Sequence, residues 1–154
     1  MLKTGDAAPE FELPNADFEV TKLGDFKGTR NLVIYFYPKD DTPGCTIEAL
    51  EFSDRLDEFL EYDTEVLGVS RDNCLSHGDF RDKHGLTIRL LADIDGTMCE
   101  AYSVWREKEA HGEKRMGILR STFIVDKEGT VKHALYDVKP KGHADAMLEL
   151  VKEL

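Results

Sequence analysis

An α/β fold with a central mixed sheet and helices on both of its faces follows from three features of this sequence. Residues 31–70 read as strand, helix, strand; residues 121–136 read as two strands about a tight turn; and the chain closes on an amphipathic helix. At 154 residues, with 41% hydrophobic and 33% charged positions, the composition is that of one globular domain spanning the whole chain, 1–154. No internal repeat, low-complexity tract or Pro/Gly/Ser-rich linker divides it.

Each element has its own signal. The segment through Val20 is expected to add a short N-terminal hairpin. Residues 31–37 (Asn-Leu-Val-Ile-Tyr-Phe-Tyr) form an apolar run that suits a buried strand. Residues 45–62 carry Ala49, Phe52, Leu56, Phe59 and Leu60 at helical spacing, and residues 65–70 return to strand. Strand, helix, strand at this length predicts a right-handed crossover and a parallel pair. A helix over 76–84, a strand over 88–91 and a short helix over 95–102 follow, and then a charged, loop-like stretch over 106–115. Residues 121–126, the turn Asp126-Lys127-Glu128-Gly129 and residues 130–136 make an antiparallel hairpin. The last helix, from about 142, puts Ala144, Met147, Val151 and Leu154 on one stripe. A parallel unit, then an antiparallel hairpin, then a helix is the thioredoxin-like plan.

Charge and cysteine content narrow the function. A net charge of −11 with basic residues interleaved among acids opposes a nucleic-acid partner, which needs clustered Lys and Arg. The acidic run over 48–65 reads as a solvated helix face. The longest apolar run, 32–37, is far short of a membrane span, and the N-terminus lacks a signal-peptide core, so no membrane association and a cytoplasmic location are expected. Three cysteines are too few and too scattered for a disulfide scaffold, which again suits a reducing compartment. His77, His84, His111, His133 and His143 show no metal-ligand spacing and read as surface or cap residues; no metal and no cofactor are expected. Asp93-x-Asp95-Gly96 faintly resembles a calcium loop, but Val104 stands where the bidentate Glu belongs. Neither Cys-x-x-Cys, nor a phosphate loop, nor a dinucleotide fingerprint is present.

The chemistry concentrates at Cys45. Pro43 suits the first helical position and Thr42 the cap before it, with the Thr42 hydroxyl in reach of the Cys45 amide. First-turn amides and the positive end of the helix macrodipole favour a thiolate there. Yet Cys45 precedes 49, 52 and 56 at spacings of four, three and four, so its side chain begins the core-facing stripe. Burial disfavours the charged form, and a reactive Cys45 therefore needs a cation from elsewhere in the fold.

The stretches Pro38-x-x-x-Thr42-x-x-Cys45, Gly5-Asp6-Ala7-Ala8-Pro9-Glu10-Phe11-Glu12-Leu13-Pro14 and Gly117-Ile118-Leu119-Arg120-Ser121-Thr122-Phe123-Ile124-Val125-Asp126 together resemble the peroxiredoxins, above all the subgroup called PrxQ or bacterioferritin comigratory protein. The resemblance spans nearly the whole chain. It implies that Cys45 is a peroxidatic cysteine whose thiolate attacks a peroxide and becomes a sulfenic acid. It implies further that Arg120 is the cation, that Thr42 and the Cys45 amide bind the peroxide, that Pro38 shields the sulfur from water, and that Glu48 orients Arg120. A thioredoxin-like dithiol would recycle the enzyme, which would be a monomer or weak homodimer.

In one respect the sequence departs from that subgroup. Where many members carry a resolving cysteine five residues after the peroxidatic one, this chain has Leu50, and near a second family position it has Arg81. Cys74 and Cys99 remain. The strands before Cys45 and before Cys74 end at one edge of a parallel sheet, which makes Cys74 the better-placed resolver. Cys99, in the short helix with Met98 and Tyr102, suits a buried structural thiol. Resolution by an external thiol stays open. Two function classes compete at this point: a thiol peroxidase, and a non-catalytic thioredoxin-like redox sensor. A sensor needs only a reactive thiol, whereas Pro38, Thr42 and Arg120 together outline a peroxide site.

Overall fold

The computed structural model describes residues 1–154. In chain order the elements are β1 (Glu12–Pro14), β2 (Val20–Lys22), a short 3-10 turn (Leu23–Asp25), β3 (Asn31–Phe36), α1 (Pro43–Asp54), α2 (Leu56–Glu61), β4 (Thr64–Ser70), α3 (Cys74–His84), β5 (Arg89–Ala92), α4 (Thr97–Ala101), β6 (Trp105–Ala110), β7 (Glu113–Ile118), β8 (Ser121–Val125), β9 (Val131–Tyr136) and α5 (His143–Val151). Among the described residues no helix is long and apolar enough to cross a membrane.

The central sheet runs β5-β4-β3-β8-β9. β3 lies parallel to β4, with Val33 opposite Val66 and Tyr35 opposite Gly68, and antiparallel to β8, with Ile34 opposite Phe123. The sheet is therefore mixed, as the element order predicts. Every residue of β3 is buried because both faces are covered. The alternation of a strand divides its side chains cleanly. Leu32, Ile34 and Phe36 join Leu67, Val69, Phe123, Met98 and Tyr102 on the face covered by α4 and the N-terminal segment. Val33, Tyr35 and Tyr37 join Cys45, Phe52, Phe59, Phe80 and Met147 on the face covered by α1, α2, α3 and α5. Gly68 is required where it stands: a Cβ there would lie 2.8 Å from the Tyr35 ring and 2.9 Å from Leu90.

The N-terminal hairpin is present as β1 and β2, paired Leu13 to Thr21. Four expectations are corrected. The single helix over 45–62 is two, because Arg55 leaves helical geometry (φ −108°, ψ 5°) while its side chain pairs with Asp145 of α5. α3 begins two residues early, at Cys74, where the Asn73 side chain accepts from the Ser76 amide at 2.8 Å. Leu154 is 45% exposed, since α5 stops at Val151 and the stripe ends with it.

The fourth concerns the stretch expected as loop over 106–115, which is a β-hairpin, β6 with β7, turning at His111 and Gly112 with φ of 53° and 77°. At its base Trp105 faces Ile118 against the core, but further out the partners are polar, Lys108 opposite Arg115 and Glu109 opposite Lys114. That outer part of the ribbon has no apolar alternation to betray it.

Candidate active site

After β3 the chain makes a tight turn, with Asp41 at φ 58°, before Pro43 opens α1. Thr42 takes the extended geometry of a helix cap, but its hydroxyl donates to the Lys39 carbonyl at 2.8 Å and makes no capping bond. The cap bond expected between Thr42 and the Cys45 amide is thus absent: the tight turn at Asp41 offers the hydroxyl a nearer carbonyl. Cys45 is in the first turn of α1, where amides have no intrahelical acceptor. Its side chain is buried, as the stripe demands.

The cation arrives from the link between β7 and β8. Arg120 Nη2 donates to Cys45 Sγ at 3.2 Å, while Nη1 donates to Glu48 Oε1 at 2.7 Å. One planar guanidinium therefore spans sulfur and carboxylate. Gly44 makes room for it, since a Cβ there would stand 3.3 Å from Arg120 Nη2 and 3.4 Å from Pro140 Cγ. The backbone carbonyl of Arg120 accepts from the Val138 amide at 2.9 Å, which pins the residue beside the segment leading into α5.

Electrostatics here are set by burial. Glu48 is fully enclosed, and loss of solvent raises its pKa to about 7 even against the adjacent guanidinium. Its second oxygen, Oε2, has no hydrogen-bond partner, which fits a carboxyl carrying a proton near neutrality. Burial works against the charge of Arg120 as well, but Glu48 and Cys45 beside it hold its pKa above the ordinary value. Tyr35 stacks on Phe52 at 4.7 Å, and burial, then Glu48 and Cys45, push its hydroxyl well above the usual range. That hydroxyl also lacks a partner. Lys108 of β6 lies lower than an ordinary lysine through burial and then through Arg120, a second cation beside the site.

Pro38, Thr42, Cys45 and Glu48 thus share one turn and the helix it opens, and Arg120 closes on them across 75 residues of sequence. Pro38 is exposed at the rim of the turn. Cys74 is buried at the start of α3 and Cys99 is buried on the opposite face of the sheet. All three thiols are free. The Cys99 amide donates to Asp93 Oδ2 at 2.8 Å, and burial followed by Asp93 pushes its thiol far above the usual range, which disfavours a thiolate there.

Two of the histidines expected as surface or cap residues, His77 and His143, are buried. His143 shares a 2.7 Å hydrogen bond with Thr122 and stands edge-on to Phe52; burial, then Arg120, lowers its pKa to about 4. His77 is wholly enclosed. With Asp40 and Asp72 it forms a cluster whose ligand-type atoms lie within 4.8 Å of one another. Asp40 already accepts from Tyr37 and Ser76 and faces His77, so the cluster is a saturated hydrogen-bond network and no metal centre is assigned to it. Nothing in the sequence marks these histidines, because their ring partners lie 14 to 37 residues away.

The chain is similar to known proteins over nearly its whole length. Residues 4–134 match the model of the AhpC/TSA family. Peroxiredoxin Bcp of Bacillus subtilis is 43% identical, over 99% of this chain and 97% of its own. Among solved structures, the bacterioferritin comigratory protein of Xanthomonas campestris, described for its alkyl peroxide reduction activity, superposes with a TM-score of 0.89 at 41% identity, covering 96% of this chain and 98% of that one. A cysteine-to-serine variant of Xylella fastidiosa PrxQ superposes with a TM-score of 0.94 at 36% identity, covering 99% and 97%.

Proposed function

The chain belongs to the AhpC/TSA family, as a peroxiredoxin of the PrxQ/bacterioferritin comigratory type, and on that premise we propose that Cys45 is the thiol that reduces hydrogen peroxide and small organic hydroperoxides. The chain is a thiol peroxidase. The observation that carries the assignment to Cys45 is the 3.2 Å contact from Arg120 Nη2 to its sulfur, braced from behind by Glu48. A guanidinium at that distance stabilises a thiolate in a site that burial alone would keep neutral.

The Cys45 thiolate attacks the terminal peroxide oxygen. An S–O bond forms as the O–O bond breaks, leaving a sulfenic acid and an alkoxide or hydroxide that departs as alcohol or water once protonated. Arg120 and the first-turn amides of α1 oppose the negative charge that develops on the departing oxygen. Thr42 orients the peroxide from the turn. Pro38 limits the access of water at the rim. Cys74, at the head of α3, then attacks the sulfenic sulfur, and a thioredoxin-like dithiol reduces the disulfide. Three free thiols suit a reducing compartment, and the cytoplasm is the proposed location. A redox sensor would need the reactive thiol alone and would leave the arginine–carboxylate brace without a role.

Cys45→Ser tests the assignment. Serine keeps the size of the side chain but does not ionise near neutral pH, so peroxide turnover should vanish while the thermal unfolding profile is retained. Turnover near the wild-type rate by that variant would refute it.

A further inference from the structure

The turn that delivers Cys45 is fastened to a neighbouring helix by a buried network that peroxide chemistry does not use. Asp40, five residues before Cys45, is buried. Its Oδ1 accepts from the Tyr37 hydroxyl at 2.6 Å, and its Oδ2 accepts from Ser76 Oγ at 2.8 Å and faces His77 Nδ1 at 2.7 Å. His77 Nε2 in turn faces the Leu91 carbonyl of β5 at 2.8 Å. Each ring nitrogen of His77 thus faces an oxygen inside the molecule. The Asp40 amide donates to Asp72 Oδ2 at 2.8 Å, and Ser70 Oγ donates to the same oxygen at 2.7 Å. Tyr37 completes the packing against His77 and Phe80.

The neighbouring residue repeats the attachment at the surface. Asp41 accepts from Lys83 Nζ at 2.6 Å and meets His84 Nε2 at 2.8 Å. The turn is thus tied to both ends of α3, at Ser76 and His77 and again at Lys83 and His84. Cys45 stands just beyond one end of this tie. Cys74 stands at the other, three residues before His77.

That placement matters for the second half of the cycle. A disulfide needs the two Cα atoms within roughly 7 Å. α1 packs chiefly on α5 and α2, and both thiols are buried. Joining them requires the turn, the head of α3, or both, to move. Each such movement strains the bonds of Asp40.

We propose that Asp40, with Tyr37 and His77, is a positioning latch that holds the Cys45 turn on α3 for the peroxide step and sets the rate of the resolving step; the proposal rests on Cys45 and Cys74 being the two redox thiols. In that step the Cys74 sulfur attacks the sulfenic sulfur of Cys45. The S–S bond forms, the S–O bond breaks, and the hydroxide released combines with the proton of the Cys74 thiol as water, so no further oxidant or reductant enters. The latch therefore acts through the chain and touches neither peroxide nor sulfur. Tight, it favours attack on peroxide and leaves the sulfenic acid exposed to over-oxidation; loosened, it favours the disulfide.

Tyr37→Phe removes one donor from Asp40 and keeps the ring packing; Ser76→Ala removes another and serves if the first variant fails to fold. Each full-length variant is mixed rapidly with one equivalent of hydrogen peroxide, and sulfenic acid and disulfide are followed by alkylation and mass mapping. Sulfenic acid formation should stay within about threefold of wild type, while the Cys45–Cys74 disulfide should form about fivefold faster, roughly the factor one hydrogen bond is worth. Sulfinic acid formed in excess peroxide should fall in the variants. It should not respond to Tyr37→Phe in a Cys74→Ser background. A disulfide rate that is unchanged or lower overturns the latch, as does an equal loss in both steps, which would mark these residues as merely structural. Wild-type protein that forms no Cys45–Cys74 disulfide removes the premise and the latch with it, a result distinct from the others because it is seen before any latch residue is changed.

Discussion

Replacing Arg120 by Lys keeps the charge and removes the fork. In the native site Nη1 reaches Glu48 at 2.7 Å while Nη2 reaches Cys45 Sγ at 3.2 Å, so one group serves two partners at once. An ammonium is a single nitrogen on a flexible stem and cannot occupy both positions. Losing one positioned donor to a transition state costs about 100- to 1000-fold in rate, and the retained charge returns part of it, so the second-order rate with peroxide should fall by about 10- to 1000-fold. The loss should also depend on pH. Glu48 titrates at about 7, so below that value it is largely neutral and leaves the ammonium free to approach sulfur; above it, the carboxylate draws the ammonium away. The Arg120→Lys deficit should therefore be larger at pH 8 than at pH 6. Single-turnover stopped-flow measurements at both values, each against wild type at the same pH, provide the comparison. A variant within about twofold of wild type at both would show that Arg120 acts as a surface charge of the weak kind.

Gly44→Ala should separate stability from activity: the added methyl meets Arg120 Nη2 at 3.3 Å and displaces it, so the peroxide rate should drop about two- to tenfold, while thermal stability holds or rises because Ala is the better helix former. Equal activity would mean that the guanidinium shifts without consequence. Gly68→Ala should destabilise by about 1–3 kcal/mol in urea titration, since its Cβ would fall 2.8 Å from a fully buried Tyr35 ring that has no room to retreat; an unchanged midpoint would contradict that packing. His143 has a folded pKa lowered to about 4, so its stabilising contribution is present above the unfolded value near 6.5 and is lost as pH falls towards 4, by up to about 3 kcal/mol. Glu48 has the opposite sign, its contribution being lost as pH rises towards about 7, so the two partly cancel in wild type. The stability difference between wild type and His143→Gln isolates the histidine and should shrink between pH 6.5 and pH 4; a constant difference would refute the assignment.

Periodicity in the sequence carried the parts of the fold whose signal is local. The apolar run before Pro38 is β3, the residues 49, 52 and 59 do face the core, and the alternation of β3 assigns its side chains to opposite sides of the sheet. The stripe from Cys45 even required a cation before one was located, because a buried thiol at a helix terminus cannot stay charged without it. What failed lacked a local signature. β6 and β7 pair through polar residues over their outer part, Arg55 breaks a helix through a partner on α5, and the Thr42 hydroxyl chose a carbonyl over the cap.

By itself, then, the sequence determined the thioredoxin-like plan, the place of Cys45 at the head of a helix, and the need for a positive partner, since each follows from spacing along one element. Only the tertiary structure decided how one guanidinium spans Cys45 and Glu48, which face of the sheet Cys99 lies on, and that Asp40 and His77 meet in the interior. These depend on distances between residues far apart in the chain and on the water that folding removes from around them. Burial sets the charge of Glu48 and His143, and burial is a property of the packed molecule that no stretch of sequence carries alone.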